Sequence, residues 1–131
     1  MIYMLDTNTV SLIAQNNDSA IKNLLKHDKD TICISAIVYA EIFYGLEKKG
    51  SMRLINEVNS VLKKMTIISF DESHSEFYGK IRTTLEKSGN PLDNMDILIA
   101  ASALAAKATL VSNNVKHFSR IKGLKIEDWS K

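Results

Sequence analysis

Ile2-Tyr3-Met4-Leu5-Asp6-Thr7-Asn8, at the start of the chain, decides how the rest is read. An unbroken apolar run opening on a β-branched residue suits a short strand buried on both faces, the habit of a parallel sheet, where a half-exposed strand would alternate. The run stops on a carboxylate, a hydroxyl and an amide. In an open α/β sheet ligands bind beyond the carboxyl ends of the strands, so Asp6, Thr7 and Asn8 stand where a site would be built. Asp-Thr-Asn alone is equally an Asx turn or a helix N-cap. What matters is whether other strand ends carry matching groups.

Comparable runs recur at Thr31–Ile34, Met65–Ile68, Thr109–Val111 and, less clearly, Leu124–Ile126. Helical periodicity fills the intervals, at Thr9–Gln15, Ser19–His27, Ala36–Lys48, Met52–Lys64, Glu72–Ser88 and Asn94–Lys107, with Gly89-Asn90-Pro91 as a break before the last. Strands alternating with helices are βαβ units. They predict a three-layer α/β/α sandwich around a central parallel sheet of about five short strands. With 131 residues, 45% of them hydrophobic, the chain has material for one core, and residues 1–131 are read as a single domain.

The lone cysteine, Cys33, lies in an apolar run and has no intrachain partner, so it reads as a core thiol. The purest apolar stretch, Ile97 to Ala106, falls well short of the roughly 20 residues that span a bilayer. The start of the chain lacks the basic-then-apolar order of a signal peptide. A soluble cytoplasmic protein is the expectation. Seventeen Lys and Arg against fifteen Asp and Glu give a formal charge of +2, a slight bias toward anionic partners. Lys107, Lys116, Arg120, Lys122, Lys125 and Lys131 cluster late in the chain, with His117, Phe118 and Trp129 among them. That mixture suits either a phosphate backbone with stacked bases or an ordinary basic terminus.

Three further elements match the first. Glu41 interrupts Ala36-Ile37-Val38-Tyr39-Ala40-Glu41-Ile42-Phe43-Tyr44, a helix apolar on most of its circumference. A carboxylate there needs a cation or strong donors, and no Lys or Arg occurs within a turn; a bound metal or an Arg distant in sequence would serve. Asp93 and Asp96 open the apolar helix Asn94-Met95-Asp96-Ile97-Leu98-Ile99-Ala100-Ala101, and a spacing of three puts them on one face. Asp93 is a cap or a site residue; Asp96 lies too deep to cap and points to a crevice. Ser112-Asn113-Asn114 follows the strand Thr109–Val111, where its hydroxyl and amides can order water or phosphate. Asn114 is suited to orienting a metal-bound water or scissile phosphate. These groups make a cleft rich in oxygen ligands. That chemistry selects Mg²⁺, or Mn²⁺ as a substitute, over zinc, and His27, His74 and His117 have no metal-ligand spacing.

Met4-Leu5-Asp6-Thr7-Asn8, Ser35 with Ala40-Glu41-Ile42 and Tyr44-Gly45, Asp96-Ile97-Leu98-Ile99-Ala100-Ala101, Val111-Ser112-Asn113-Asn114 with His117-Phe118, and Gly123-Leu124-Lys125-Ile126-Glu127-Asp128-Trp129 together resemble the VapC-type PIN-domain toxins over nearly the whole chain. The resemblance implies the PIN sandwich, with Asp6, Glu41 and Asp96 as metal-binding acids. It further implies RNA hydrolysis, often in a tRNA anticodon stem-loop and in the branch most resembled in initiator tRNA, leaving a 5′ phosphate. It implies a homodimer silenced by a small VapB-type antitoxin whose tail sets a basic side chain against the acidic cleft. The sequence departs from the general PIN pattern at Asn114, where many PIN nucleases carry a fourth acid, and at Asp93, where many relatives have Gly. Asp93 then either restores part of the missing charge or caps the helix.

The expected chemistry is phosphodiester hydrolysis, with the ion lowering the pKa of a bound water and Thr7, Asn8, Ser112 and Asn114 positioning water and substrate. A non-catalytic RNA-binding or scaffolding PIN module is the alternative, to be marked by loss of site acids. A phosphoacceptor receiver domain would need paired acids near the N-terminus and a Lys directly after a late strand; Asp6 stands alone, and Ser112-Asn113-Asn114 occupies the late-strand position.

Overall fold

The computed structural model describes residues 1–131. Its elements are β1 (Ile2–Leu5), α1 (Thr7–Ala14), α2 (Asp18–Lys26), β2 (Thr31–Ser35), α3 (Ala36–Lys49), α4 (Met52–Leu62), β3 (Thr66–Ile68), α5 (Glu72–Lys87), α6 (Asn94–Ala105), β4 (Thr109–Val111), α7 (Val115–Phe118) and β5 (Ile126–Glu127). All five strands run parallel, in the order β3-β2-β1-β4-β5. Tyr3 is registered against Ile32 on one side and Thr109 on the other.

The expected sandwich is present, and the reason is visible in burial. Met4, Leu5, Cys33, Ile34, Leu110 and Val111 are wholly excluded from solvent, which requires helices on both faces. From β1 the chain first works outward through β2 to β3, then crosses back to β4 and β5. Right-handed crossovers therefore put α1 to α4 on one face and α5 to α7 on the other. Packing agrees: α1 contacts α2, α3 and α4, while α5 lies along α6. The reversal of direction occurs at β1, so the crevice of the sheet opens beyond Leu5.

Helix ends follow their side chains. Ser35 accepts from the Val38 amide at 3.1 Å and starts α3, and Asn17 accepts from the Ala20 amide at 3.0 Å and starts α2. Gly50, at φ 62°, ends α3 in the left-handed conformation that a side chain would disfavour. Cys33 is a core thiol as expected, and burial pushes its pKa up to about 11.

Two expectations need correction. The last strand is Ile126–Glu127 where Leu124–Ile126 was expected, and the one-turn helix α7 was not foreseen. Phe118 and Trp129 are not available to stack on bases, since each is 1% exposed and belongs to the core. Trp129 instead stacks on His27 at 5.3 Å between ring centroids, with Tyr3 beside both. Glu127 accepts from the Trp129 indole N–H at 3.0 Å, and Asp30 meets both the His27 ring at 3.0 Å and the Met1 ammonium at 3.5 Å. No helix is long and apolar enough to cross a membrane.

Candidate active site

Asp6 is the first residue past β1, and 7% of it is exposed. Its amide donates to the Val111 carbonyl at 3.0 Å, tying the end of β1 to the end of β4. One carboxylate oxygen accepts from the Thr9 amide at 2.9 Å as the N-cap of α1. The other makes no hydrogen bond within the protein, so capping and a site role are compatible. Thr9 strengthens the same junction by donating its hydroxyl to the Val111 carbonyl at 3.1 Å.

Glu41 comes to this point from α3, half-buried. Its partner is neither Lys nor Arg: the Thr7 hydroxyl donates to its Oε1 at 2.7 Å, joining the first turn of α1 to the middle of α3. Asp93 and Asp96 arrive on α6. Asp93 is exposed and caps the helix, accepting from the Met95 amide at 2.8 Å. Asp96 is half-buried in the first turn. Burial raises its pKa most, and the negative charges of Asp93, Glu41 and Asp6 raise it further, while His117 acts in the opposite sense. Asp96 thus stands in the field of three other carboxylates, and none of the four is paired with Lys or Arg.

Asn8 is exposed on the outer side of α1. Ser112 is fully buried, and its hydroxyl accepts from the Asn114 amide at 3.0 Å, shaping the turn after β4. Asn114 occupies the N-cap position of α7 without capping it. Its side-chain amide instead meets Nδ1 of His117 at 2.9 Å. From sequence, His117 is only part of the basic, aromatic C-terminal segment and of the family resemblance, without a partner in the site. Its spacing of three from Asn114 was the available signal, and one helical turn is too short to register as periodicity.

As placed, no three His, Cys, Asp or Glu side chains close around a point that would hold a metal ion. The donor set still fits a hard divalent cation. It consists of oxygens, it carries excess negative charge without protein cations, and Mg²⁺ commonly takes one or two carboxylates and keeps several waters. Beside Glu41, between α1, α3 and α4, lies a cavity of about 120 Å³ walled by Val10, Ile42, Leu46, Leu54 and Val58, with Lys49 also in its lining.

Comparison with known proteins accords with this geometry. The family model described as PIN domain matches residues 3–124. The chain is 44% identical to Ribonuclease VapC2 of Rickettsia felis across the full length of both. It is 32% identical to the tRNA(fMet)-specific endonuclease VapC of Salmonella typhimurium, over 97% of each chain. Among solved structures, VapBC2 from Rickettsia felis bound to a promoter DNA fragment superposes with a TM-score of 0.92 at 42% identity, covering 98% of this chain and 99% of that one. DNA-bound VapBC from Salmonella typhimurium gives 0.87 at 30% identity, covering 98% of each. The present chain belongs to the PIN-domain family, in the branch of the VapC ribonucleases.

Proposed function

We propose that this chain, acting as a single domain over residues 1–131, is the toxin of a VapBC-type toxin–antitoxin pair in the cytoplasm: a Mg²⁺-dependent endoribonuclease, with Mn²⁺ as a possible substitute, that hydrolyses tRNA. The observation that supports the reading is that Glu41 and Asp6, with Asp93, bear electrostatically on Asp96 at the carboxyl edge of the sheet while no Lys or Arg pairs with any of them. Initiator tRNA is the favoured substrate, because a relative 32% identical is named a tRNA(fMet)-specific endonuclease.

Asp6, Glu41 and Asp96 would hold the ion, with Asp93 adding charge at the rim. When bound, the ion supplies an activated water and offsets the charge that develops on the phosphate. The protein's part is positional. The two ties to the Val111 carbonyl hold the Asp6 turn against the end of β4, and the Thr7 hydroxyl fixes the direction of Glu41. Asn114 and Ser112 build the turn that forms the opposite lip. A non-catalytic RNA-binding module fits poorly, since the expected acids are all retained.

The apolar-walled cavity beside Glu41 is suited to the tail of a VapB-type antitoxin, with a basic side chain directed at the carboxylates. The exposed Phe43, Tyr44 and Met52 on α3 and α4 extend that surface. A homodimer completes the proposed assembly.

The test is incubation of purified protein with total tRNA, with Mg²⁺ or with EDTA, beside Asp6→Asn and Asp96→Asn. Cleavage is expected from the parent with Mg²⁺ alone, and almost none from either variant. Equal cleavage by variants and parent would falsify the assignment.

A further inference from the structure

His117 stands on α7, shortly after the end of β4, whose Val111 carbonyl accepts from the Asp6 amide and the Thr9 hydroxyl. Its ring is exposed, yet one nitrogen is committed: the side-chain amide nitrogen of Asn114 lies 2.9 Å from Nδ1. An amide NH₂ can only donate. Nδ1 must therefore accept, and the proton of the neutral imidazole resides on Nε2. The contact leaves Nε2–H as the free donor of a ring carried by the helix that follows the β4 turn, and the electrostatic effect of His117 on Asp96 marks its closeness to the carboxylates. No His, Lys or Arg forms an ion pair with Asp6, Glu41, Asp93 or Asp96.

We infer that His117, held by Asn114 in the tautomer protonated at Nε2, donates an Nε2–H hydrogen bond to a phosphate oxygen of the RNA at the cleavage site, and that Asn114 is a positioning residue acting through His117. The inference rests on the ribonuclease reading above. It replaces the expectation that Asn114 orients water directly. A preset donor aimed where charge grows during phosphodiester cleavage lowers the barrier without reorganising at the moment of reaction. Its effect therefore falls on kcat, with KM little changed.

Two measurements test it. The first is steady-state cleavage of total tRNA with Mg²⁺ by the parent, His117→Ala, His117→Gln, Asn114→Ala and the double variant His117→Ala with Asn114→Ala. His117→Ala is expected to lower kcat by about tenfold to a hundredfold. Gln, whose amide nitrogen reaches about as far as Nε2, should recover part of the loss. The double variant should be no slower than His117→Ala, because residues acting as one unit are not additive. Multiplying losses would mean that Asn114 works independently and would overturn its assignment.

The second measurement is ¹⁵N NMR of the imidazoles, with His117→Gln identifying the signals. Nδ1 of His117 is expected to be unprotonated and Nε2 protonated in the parent, with a tautomer mixture in Asn114→Ala. A mixture in the parent, or unchanged kcat in His117→Ala, overturns the inference while leaving the nuclease reading intact, provided that Asp96→Asn is inactive. If the parent itself does not cleave, both fall together.

Discussion

Asp93 shows how one carboxylate can satisfy a local and a distant demand together. It caps α6 through the Met95 amide and at the same time adds to the negative field on Asp96. Substitution separates these. Asp93→Asn keeps an acceptor for the cap and should leave stability near that of the parent, whereas Asp93→Ala loses the cap and about 1 kcal/mol. Urea melts of the two variants check this, and equal losses would mean the cap contributes nothing. The same duality explains why Asp6 could be read as cap or site from sequence and turned out able to be both: capping occupies one of its two oxygens. The Thr7 partner of Glu41 was not legible, because a contact across 34 positions depends on how α1 and α3 cross.

At the scale of elements, the segment from the end of α2 into β2 carries its own charge switch. Asp30 has its pKa lowered chiefly by the hydrogen bond from His27, against an opposing effect of desolvation, with the N-terminal ammonium adding to the lowering. A carboxylate whose folded pKa is depressed contributes stability above its unfolded value, near 3.9, and loses it as pH falls through the folded value. The parent should therefore be more stable than Asp30→Asn at pH 7, and the gap should close in melts taken at progressively lower pH, as the folded carboxylate protonates below the usual carboxylate range. A gap independent of pH would show that something other than charge is responsible. Helices of three turns or more were readable within a residue or two of their ends because periodicity and caps agree. The short elements α7 and β5 were not, since two to four residues carry no period. Phe118 and Trp129 misled for a related reason. In a basic segment an aromatic that stacks on a base and one that fills the core look the same until the sheet's edge is placed.

For the whole molecule, Trp129 is the piece that fastens the C-terminal segment over Tyr3 and His27. Trp129→Ala should cost about 3–5 kcal/mol, by loss of a large buried side chain that leaves a cavity. A shift of the denaturation midpoint measured by circular dichroism checks it, and a change under 1 kcal/mol would show the segment to be ornamental to the core. The architecture itself was the most legible feature, because strands buried on both faces allow few arrangements besides helices above and below. The strand order was not legible: nothing in Thr109–Val111 says that it will lie beside β1 and not beside β3.

That adjacency joins the third residue of the chain to the hundred-and-ninth, Tyr3 to Thr109. Pairings so remote must wait until nearly the whole polypeptide has left the ribosome, and they are slow to form even then. Asp6 meets Asp96 and the β4 turn only at that stage. The carboxyl edge on which the candidate site stands is consequently among the last parts of the fold that can assemble, since it needs the strand pairing most remote in sequence.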